Sequence, residues 1–246
     1  MAAPPVRAVV VAEPLADPRL LSIVIPVLND AQLLEQSLSQ LFSQPQAQTK
    51  FEVIVCDGGS SDATLAIAEQ FPCQLIHSDP GRAIQMNRGS EVANGEWLLF
   101  LHADSRLPDG FENELQDAKE WGFFHLRLSG NHFFFAIIAK AINLRSSITR
   151  VAGGDQALFF RNTFFQSIQG FPKIPLMEDI AICKTARRLS RPHVIHQCLT
   201  SSSRRWQENG IFKTIVLMWS LRLAYWLGIN PSRLHKVYYP QRERQA

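Results

Sequence analysis

The chain is short of the features that mark several common protein classes. Its four cysteines, Cys56, Cys73, Cys183 and Cys198, are scattered, and no two are spaced as a metal knuckle or a redox pair. The start of the sequence carries no secretory pattern, so a reducing cytoplasm is the expected location. No Gly-x-Gly-x-x-Gly follows a strand-like run, and neither a Gly-x-x-x-x-Gly-Lys-Ser/Thr loop nor a Gly-x-Ser-x-Gly elbow is present. Those absences argue against a dehydrogenase, a P-loop NTPase and a hydrolase. Internal repeats and low-complexity tracts are also missing. The net charge is only +3, without a dense basic stripe or a recognisable nucleic-acid module, so nucleic acid is not an expected partner. The longest apolar run, Ile211 to Ile229, is interrupted by Lys213 and Arg222. A central arginine costs roughly 2.5–3.5 kcal/mol on insertion scales, so a membrane span is not expected there.

What is present is the balance of a packed globule, 246 residues with 46% hydrophobic against 19% charged. The basic excess gathers late in the chain and suits anionic partners such as diphosphates or lipid headgroups. Residues 1–19 read as a flexible leader, 20–240 as one domain and 241–246 as a tail. Within the domain, 20–106 reads as a nucleotide-binding half and 107–240 as an acceptor half.

Apolar strand-like runs alternate with helical stretches: Leu21 to Pro26 a strand, Ala31 to Phe42 a helix, Phe51 to Cys56 a strand, Asp62 to Phe71 a helix. A strand over Gln74 to His77, a helix over Ile84 to Ala93 and a strand over Glu96 to His102 follow. This alternation predicts βαβ units, hence an α/β fold with a single, mostly parallel sheet flanked by helices. The second half is less regular. It suggests a helix over Gly110 to Trp121, strands over Phe123 to Leu128 and Ala157 to Arg161, a helix over Glu178 to Leu189 and a strand over His193 to Leu199. The apolar stretches Phe133 to Ile142 and Ile211 to Ile229 admit two readings, core packing or a membrane-facing entrance for an apolar acceptor.

Five clusters carry chemistry. Asp57-Gly58-Gly59-Ser60-Ser61-Asp62 ends a strand with an acid, continues through flexible glycines and opens a helix. Free N–H groups at a helix start attract phosphate, and a strand-end carboxylate can accept hydrogen bonds from a base or ribose. For Asp62 a simple capping role competes equally. His102-Ala103-Asp104 stops another oily strand, and a carboxylate there can hold Mg²⁺ or Mn²⁺ against a diphosphate; a turn before Pro108 is the plainer alternative. Glu178-Asp179 opens an amphipathic helix, where the dipole alone favours acids but where one of them can also serve as a general base. Arg204-Arg205-Trp206 can bind a diphosphate or simply stand beside a core indole. Gly154-Asp155-Gln156 forms a turn whose side chains can grip an acceptor.

Taken in order, Ser22-Ile23-Val24-Ile25-Pro26-Val27-Leu28-Asn29, Asp57 to Thr64, His102-Ala103-Asp104 and Glu178-Asp179 resemble the family 2 glycosyltransferases of the A-type fold. More narrowly, Gly81 to Gly89, Gly154 to Ala157, Pro175 to Asp179 and Ser203 to Trp206 resemble the short bacterial subfamily called selenodomain-associated transferase 2. The likeness runs from about Leu21 to Tyr239.

The resemblance implies an inverting, metal-dependent transfer of a sugar from a nucleoside-diphosphate sugar, a UDP-sugar first among them. Asp57 and Gly58 would meet the base, with Pro26, Asn29 and Asp62 lining the nucleotide pocket. Asp104 would hold Mg²⁺ or Mn²⁺ on the diphosphate, with His102 and Ala103 beside it. Arg82 and Asn87 match a loop that closes over the nucleotide. Arg204, Arg205 and Trp206 would steady the leaving diphosphate. Asp179 would be the base, supported by Glu178, with Gly154, Asp155 and Gln156 on the acceptor side. The family pattern is often Asp-x-Asp, and His102 stands where the first acid would be. Two other readings compete: a nucleotidyltransferase, whose glycine-rich basic loop after the first strand is replaced here by Pro26-Val27-Leu28-Asn29, and a non-catalytic nucleotide-sugar-binding protein. An apolar acceptor would bring a peripheral contact with the inner membrane face.

Overall fold

The computed structural model describes residues 21–43, 51–115 and 117–239. The expected leader and tail, 1–19 and 241–246, lie outside the described residues.

The first half is built as the alternation predicts. Strands β1 (Leu21–Val27), β2 (Phe51–Asp57), β3 (Gln74–His77) and β4 (Trp97–Phe100) are interleaved with helices α1 (Ala31–Ser43), α2 (Thr64–Ala68) and α3 (Arg82–Val92). The four strands pair in parallel, β1 lying between β2 and β4. The chain continues through β5 (Ser105–Arg106), a 3₁₀ turn (Phe111–Leu115), β6 (Trp121–Leu128), α4 (Phe133–Thr149), a second 3₁₀ turn (Gly154–Gln156), β7 (Phe159–Arg161) and α5 (Asn162–Ser167). It ends with α6 (Glu178–Leu189), β8 (His193–Ser201), α7 (Arg204–Asn209), α8 (Ile211–Trp226) and α9 (Pro231–Tyr238).

All eight strands form one sheet in the order β3-β2-β1-β4-β7-β6-β8-β5. It is mixed: β7 runs antiparallel to both β4 and β6, whereas β6 and β8 are parallel. The parallel character foreseen thus holds for β1 to β4 and for the β6–β8 pair. Alternate residues of β1 serve opposite faces, Ile23 and Ile25 in one buried cluster and Val24 in the other, so both faces of the sheet are covered. Helix α3 lies close against the sheet through Gly89, where a Cβ would fall 2.4 Å from a Val24 methyl and 2.7 Å from the Cys56 sulfur.

Several element boundaries differ from expectation for physical reasons. The helix foreseen over Gly110 to Trp121 is only the 3₁₀ turn Phe111–Leu115, and Trp121 begins β6 instead. Trp121 is fully buried, stacks on Phe160 at 5.9 Å and donates its indole N–H to the Ser190 carbonyl at 3.0 Å. That tertiary burial outweighs local pattern. The helix foreseen over Asp62 to Phe71 contracts to Thr64–Ala68, because Asp62 is spent in a turn with Thr64. Ala157 adopts a left-handed conformation (φ 43°), so β7 begins at Phe159. Of the two apolar stretches, only inward residues such as Phe135, Ile138 and Leu221 reach the core; Phe133, Ile137, Phe212 and Trp226 are exposed. Among the described residues no helix is long and apolar enough to cross a membrane.

Candidate active site

The crevice outside the carboxyl ends of β1, β2 and β4, where the sheet changes direction, is the place where open α/β sheets bind ligands. Its floor is laced together by side chains. Asn29, just past β1 and left-handed (φ 55°), accepts from the Ser61 N–H at 2.8 Å and donates its own N–H to the Ser60 hydroxyl at 2.9 Å. Asp57, buried at the end of β2, accepts from the N–H groups of Gly59 and Ser60 at 2.9 and 3.1 Å. Asp62 accepts from the Thr64 N–H at 3.0 Å and the Ala31 N–H at 3.3 Å, and the Thr64 hydroxyl bond is the main cause holding its carboxyl below the usual range. Asp62 therefore orders the loop into α2 and ties it to the start of α1.

Gln85 is the residue that the sequence reading overlooked. Fully within α3 and 3% exposed, it donates to the carbonyls of Val27 and Cys56 at 2.7 and 2.8 Å, clamping the ends of β1 and β2 together. A Cβ on Gly58 would sit 3.0 Å from its Nε2, so the glycine makes room for the clamp. Asn87 is a second clamp: its amide donates to the Phe171 carbonyl and accepts from the Phe171 N–H, at 2.8 and 2.9 Å. Both of its polar ends are thereby occupied away from a nucleotide.

Past β4, Asp104 is half-buried and His102 lies against the 3₁₀ turn, where a Cβ on Gly154 would fall 2.7 Å from His102 Nε2. Burial, and then the Arg82 charge, push the imidazole well below its ordinary pKa, so it is neutral. The other wall is the start of α6. Glu178 is 7% exposed, and Asp179 accepts from the Gly154 N–H at 2.8 Å and the Ile180 N–H at 2.7 Å. Met177, immediately before them, is left-handed at φ 71°, a conformation costly for a side chain with a Cβ and often kept at functional sites. Burial and the neighbouring Asp179 charge raise Glu178 to about 7. Asp179 is also raised by burial, while the two N–H donors, Arg82 and Arg145 pull in the opposite direction. The two acids therefore share their protons as a pair.

Arg82 is the first residue of α3. Desolvation opposes its charge, but Tyr239, Glu178, Asp104 and Asp179 outweigh it and raise the guanidinium pKa. Asp155 is raised to about 6 by burial, moderated by Arg145. Arg145 of α4 keeps Nε and Nη2 buried without a hydrogen-bond partner, and Arg222 of α8 brings Nη2 to 3.4 Å from where a Gly153 Cβ would stand. Gln156, by contrast, is fully buried; it donates to the Phe124 carbonyl and Ser146 hydroxyl at 3.1 and 2.9 Å, holding the turn rather than facing the cleft.

Arg204 lies 3.9 Å from Asp30, and Arg205 stacks on the Tyr238 ring at 3.8 Å. Trp206 packs against the core. Asp30, which no motif had flagged, is raised chiefly by burial, with Arg204 lowering it and Asp104 adding to the rise. A cavity of about 160 Å³ adjoins Asp104, lined also by Gln36, Arg106 and Ser202. Among the described residues no three His, Cys, Asp or Glu side chains gather as a ready-made metal site. A hard cation held by one or two carboxylates and completed by substrate phosphates and water needs no such cage, so Asp104 fits that kind of site.

The sheet, the switch-point crevice and the paired acids define a nucleotide-diphospho-sugar transferase fold of the A type. Residues 22–123 match the family model described as glycosyl transferase family 2. The chain is 35% identical over 159 residues to the PGL/p-HBAD biosynthesis glycosyltransferase of Mycobacterium tuberculosis, covering 61% of this chain and 58% of that protein. It is 37% identical over 90 residues to the glycosyltransferase AglE of Haloferax volcanii, 34% of this chain and 30% of that one. Among solved structures, S. aureus TarS 1–349 superposes with a TM-score of 0.61 at 18% identity, covering 76% of this chain and 61% of that one. The mannosyltransferase PcManGT from Pyrobaculum calidifontis, in complex with GDP-Man and Mn²⁺, gives 0.57 at 21% identity over 77% and 57%. The match to the family 2 model takes in the first half of the described domain, and the chain spans a little over half the length of the mycobacterial relative.

Proposed function

We propose that the protein transfers a sugar from a nucleoside-diphosphate sugar, a UDP-sugar first among the candidates, to an acceptor that is apolar or lipid-like. The observation that carries the reading is Gly154, whose N–H donates to Asp179 at 2.8 Å and where a Cβ would fall 2.7 Å from His102 Nε2, so that the turn after β4 and the start of α6 meet at one residue. In this reading donor and acceptor machinery face a single crevice.

In this reading the acceptor oxygen attacks the anomeric carbon while the bond from that carbon to the diphosphate oxygen breaks. The acceptor proton passes to Asp179, and the configuration inverts without a covalent enzyme intermediate. The two backbone donors on Asp179 orient its carboxylate, leaving a lone pair on each oxygen for the acceptor. Glu178 supports the ionisation balance of the pair. Arg204 and Arg205 flank the diphosphate, and Asp57, with Pro26 and Asn29, borders the base and ribose. A bound Mg²⁺ or Mn²⁺, with Asp104 as its protein ligand, would neutralise charge on the departing diphosphate. The mannosyltransferase in complex with GDP-Man and Mn²⁺ and TarS 1–349 in complex with UDP-GlcNAc support a nucleotide-sugar donor. The four unpaired cysteines suit a cytoplasmic location with peripheral contact at the inner membrane face.

A thermal-shift titration with UDP-, GDP-, dTDP- and CDP-sugars, each with and without Mn²⁺, tests the donor site, because a ligand of the native state raises apparent stability. A metal-dependent rise with one base class is expected. No rise with any donor in folded protein overturns the reading.

A further inference from the structure

Helices α4 and α8 each look two ways. Inward, they carry Arg145 and Arg222 to the Gly153–Gln156 turn beside Asp179. Outward, α8 presents Phe212, Val216, Trp219, Leu223 and Trp226, all between 57 and 73% exposed. Their spacing alternates four and three residues, which places them on one continuous stripe. On α4, Phe133, Ile137, Leu144 and Ile148 are between 46 and 75% exposed at spacings of four, seven and four. The two stripes meet at Phe134 and Phe212, whose rings lie 5.9 Å apart. A contiguous exposed apolar surface of this kind marks a place of contact.

Within α4, α8 and α9 the charges are of one sign, with Glu208 of α7 the exposed acid nearest to the start of α8. Residues 133–150 and 211–239 contain no Asp or Glu. Their exposed cations include Lys140 in the middle of α4, Arg150 at its end and Lys213, Arg233 and Lys236 along α8 and α9. A second copy docked through the same face would oppose cation to cation, since a two-fold interface sets a patch against itself. An anionic lipid surface complements both features: the headgroups attract Lys and Arg, and the indoles of Trp219 and Trp226 suit the boundary between headgroup and acyl chain. No described helix is fit to cross a membrane, so the contact lies in the plane of the surface.

The geometry points to the outer face of α4, α8 and α9 as the surface by which the protein lies on an anionic lipid bilayer. Docking itself is independent of catalysis. Its use, to bring the Gly154–Asp155 turn to an acceptor held in the membrane, rests on the transfer reading given above.

Flotation of the full chain with phosphatidylcholine vesicles, with and without phosphatidylglycerol, tests this directly. The protein is expected to float with the anionic vesicles, less so as salt rises, and to stay behind with phosphatidylcholine alone. Trp219→Ser/Trp226→Ser and, separately, Lys213→Glu/Lys236→Glu are each expected to lower the bound fraction about tenfold or more. Brominated lipid is expected to quench the wild-type tryptophan fluorescence, because Trp219 and Trp226 are exposed whereas Trp97 and Trp121 are buried. The idea is overturned if wild type fails to float with anionic vesicles. It is also overturned if sedimentation shows a dimer that the tryptophan substitutions dissolve. Donor-induced thermal shifts on the same variants separate the two claims: shifts retained without vesicle binding reject the docking surface alone, and vesicle binding without any donor shift rejects the transfer reading alone.

Discussion

The backbone N–H of Gly154 donates to Oδ2 of Asp179 at 2.8 Å, joining the candidate acceptor turn to the candidate base. A second N–H, from Ile180, meets the other carboxylate oxygen at 2.7 Å. An acid held in this way has a fixed orientation, while its burial raises its proton affinity, and a proton acceptor uses both. Asp179→Asn is expected to lower transfer by roughly 10²–10⁴-fold while leaving donor affinity within about twofold, by analogy with losses confined to the transition state. Single-turnover transfer and donor titration check the two halves of that statement.

Glu178 gives the protein a pH signature. Its folded pKa is raised to about 7 from an ordinary 4.5, so the native state keeps a proton that the unfolded chain releases. Stability from this group is complete below 4.5 and falls as pH rises toward about 7. Asp155, raised to about 6, adds a slope of the same sign. Glu178→Gln is expected to stabilise the protein at about pH 8, by on the order of 3 kcal/mol at most, with little effect at about pH 5. Urea midpoints at the two pH values measure it, and an equal effect at both would contradict the assignment.

The clamp at Gln85 predicts a loss without any change in charge. Gln85→Ala removes the donor shared by the Val27 and Cys56 carbonyls, and about 1–3 kcal/mol of stability is expected to go with it. Because those carbonyls end the strands that carry Asn29 and Asp57, donor affinity is expected to fall as well. Denaturant unfolding and donor titration read both effects.

Gly89→Ala tests the packing of α3 on the sheet. The added methyl would meet Val24 at 2.4 Å and Cys56 at 2.7 Å, and forcing the helix outward is expected to cost about 1–3 kcal/mol. A shifted unfolding midpoint with an unchanged urea slope is the expected result.

Much of this was legible in the sequence where local pattern and tertiary role agree. The alternation from Leu21 to His102 predicted β1 to β4 and their helices because buried parallel strands are continuous apolar runs. The acids at the ends of β2 and β4 could be placed in the crevice for the same reason. The second half was harder. Trp121 belongs to a strand because of its partners Phe160 and Ser190, which are 39 and 69 positions away and leave no local mark. Gln85 and Asn87 bond to Cys56 and Phe171, far away in the sequence, so Gln85 drew no role and Asn87 drew that of a loop residue over the nucleotide. Gln156 was read from turn chemistry, which does not reveal that its amide points inward to Phe124 and Ser146. The apolar run of α8 admitted both a core and a membrane-facing reading, because composition alone does not say which face a helix turns outward.

The division of labour between the two walls is the central claim, and calorimetric donor titration in Mn²⁺ of wild type, Asp104→Asn and Asp179→Asn, side by side, tests it most directly. Wild type and Asp179→Asn are predicted to bind one nucleoside-diphosphate sugar alike, and Asp104→Asn to lose the metal-dependent part of that binding. Equal binding by all three, or none by wild type, would contradict it.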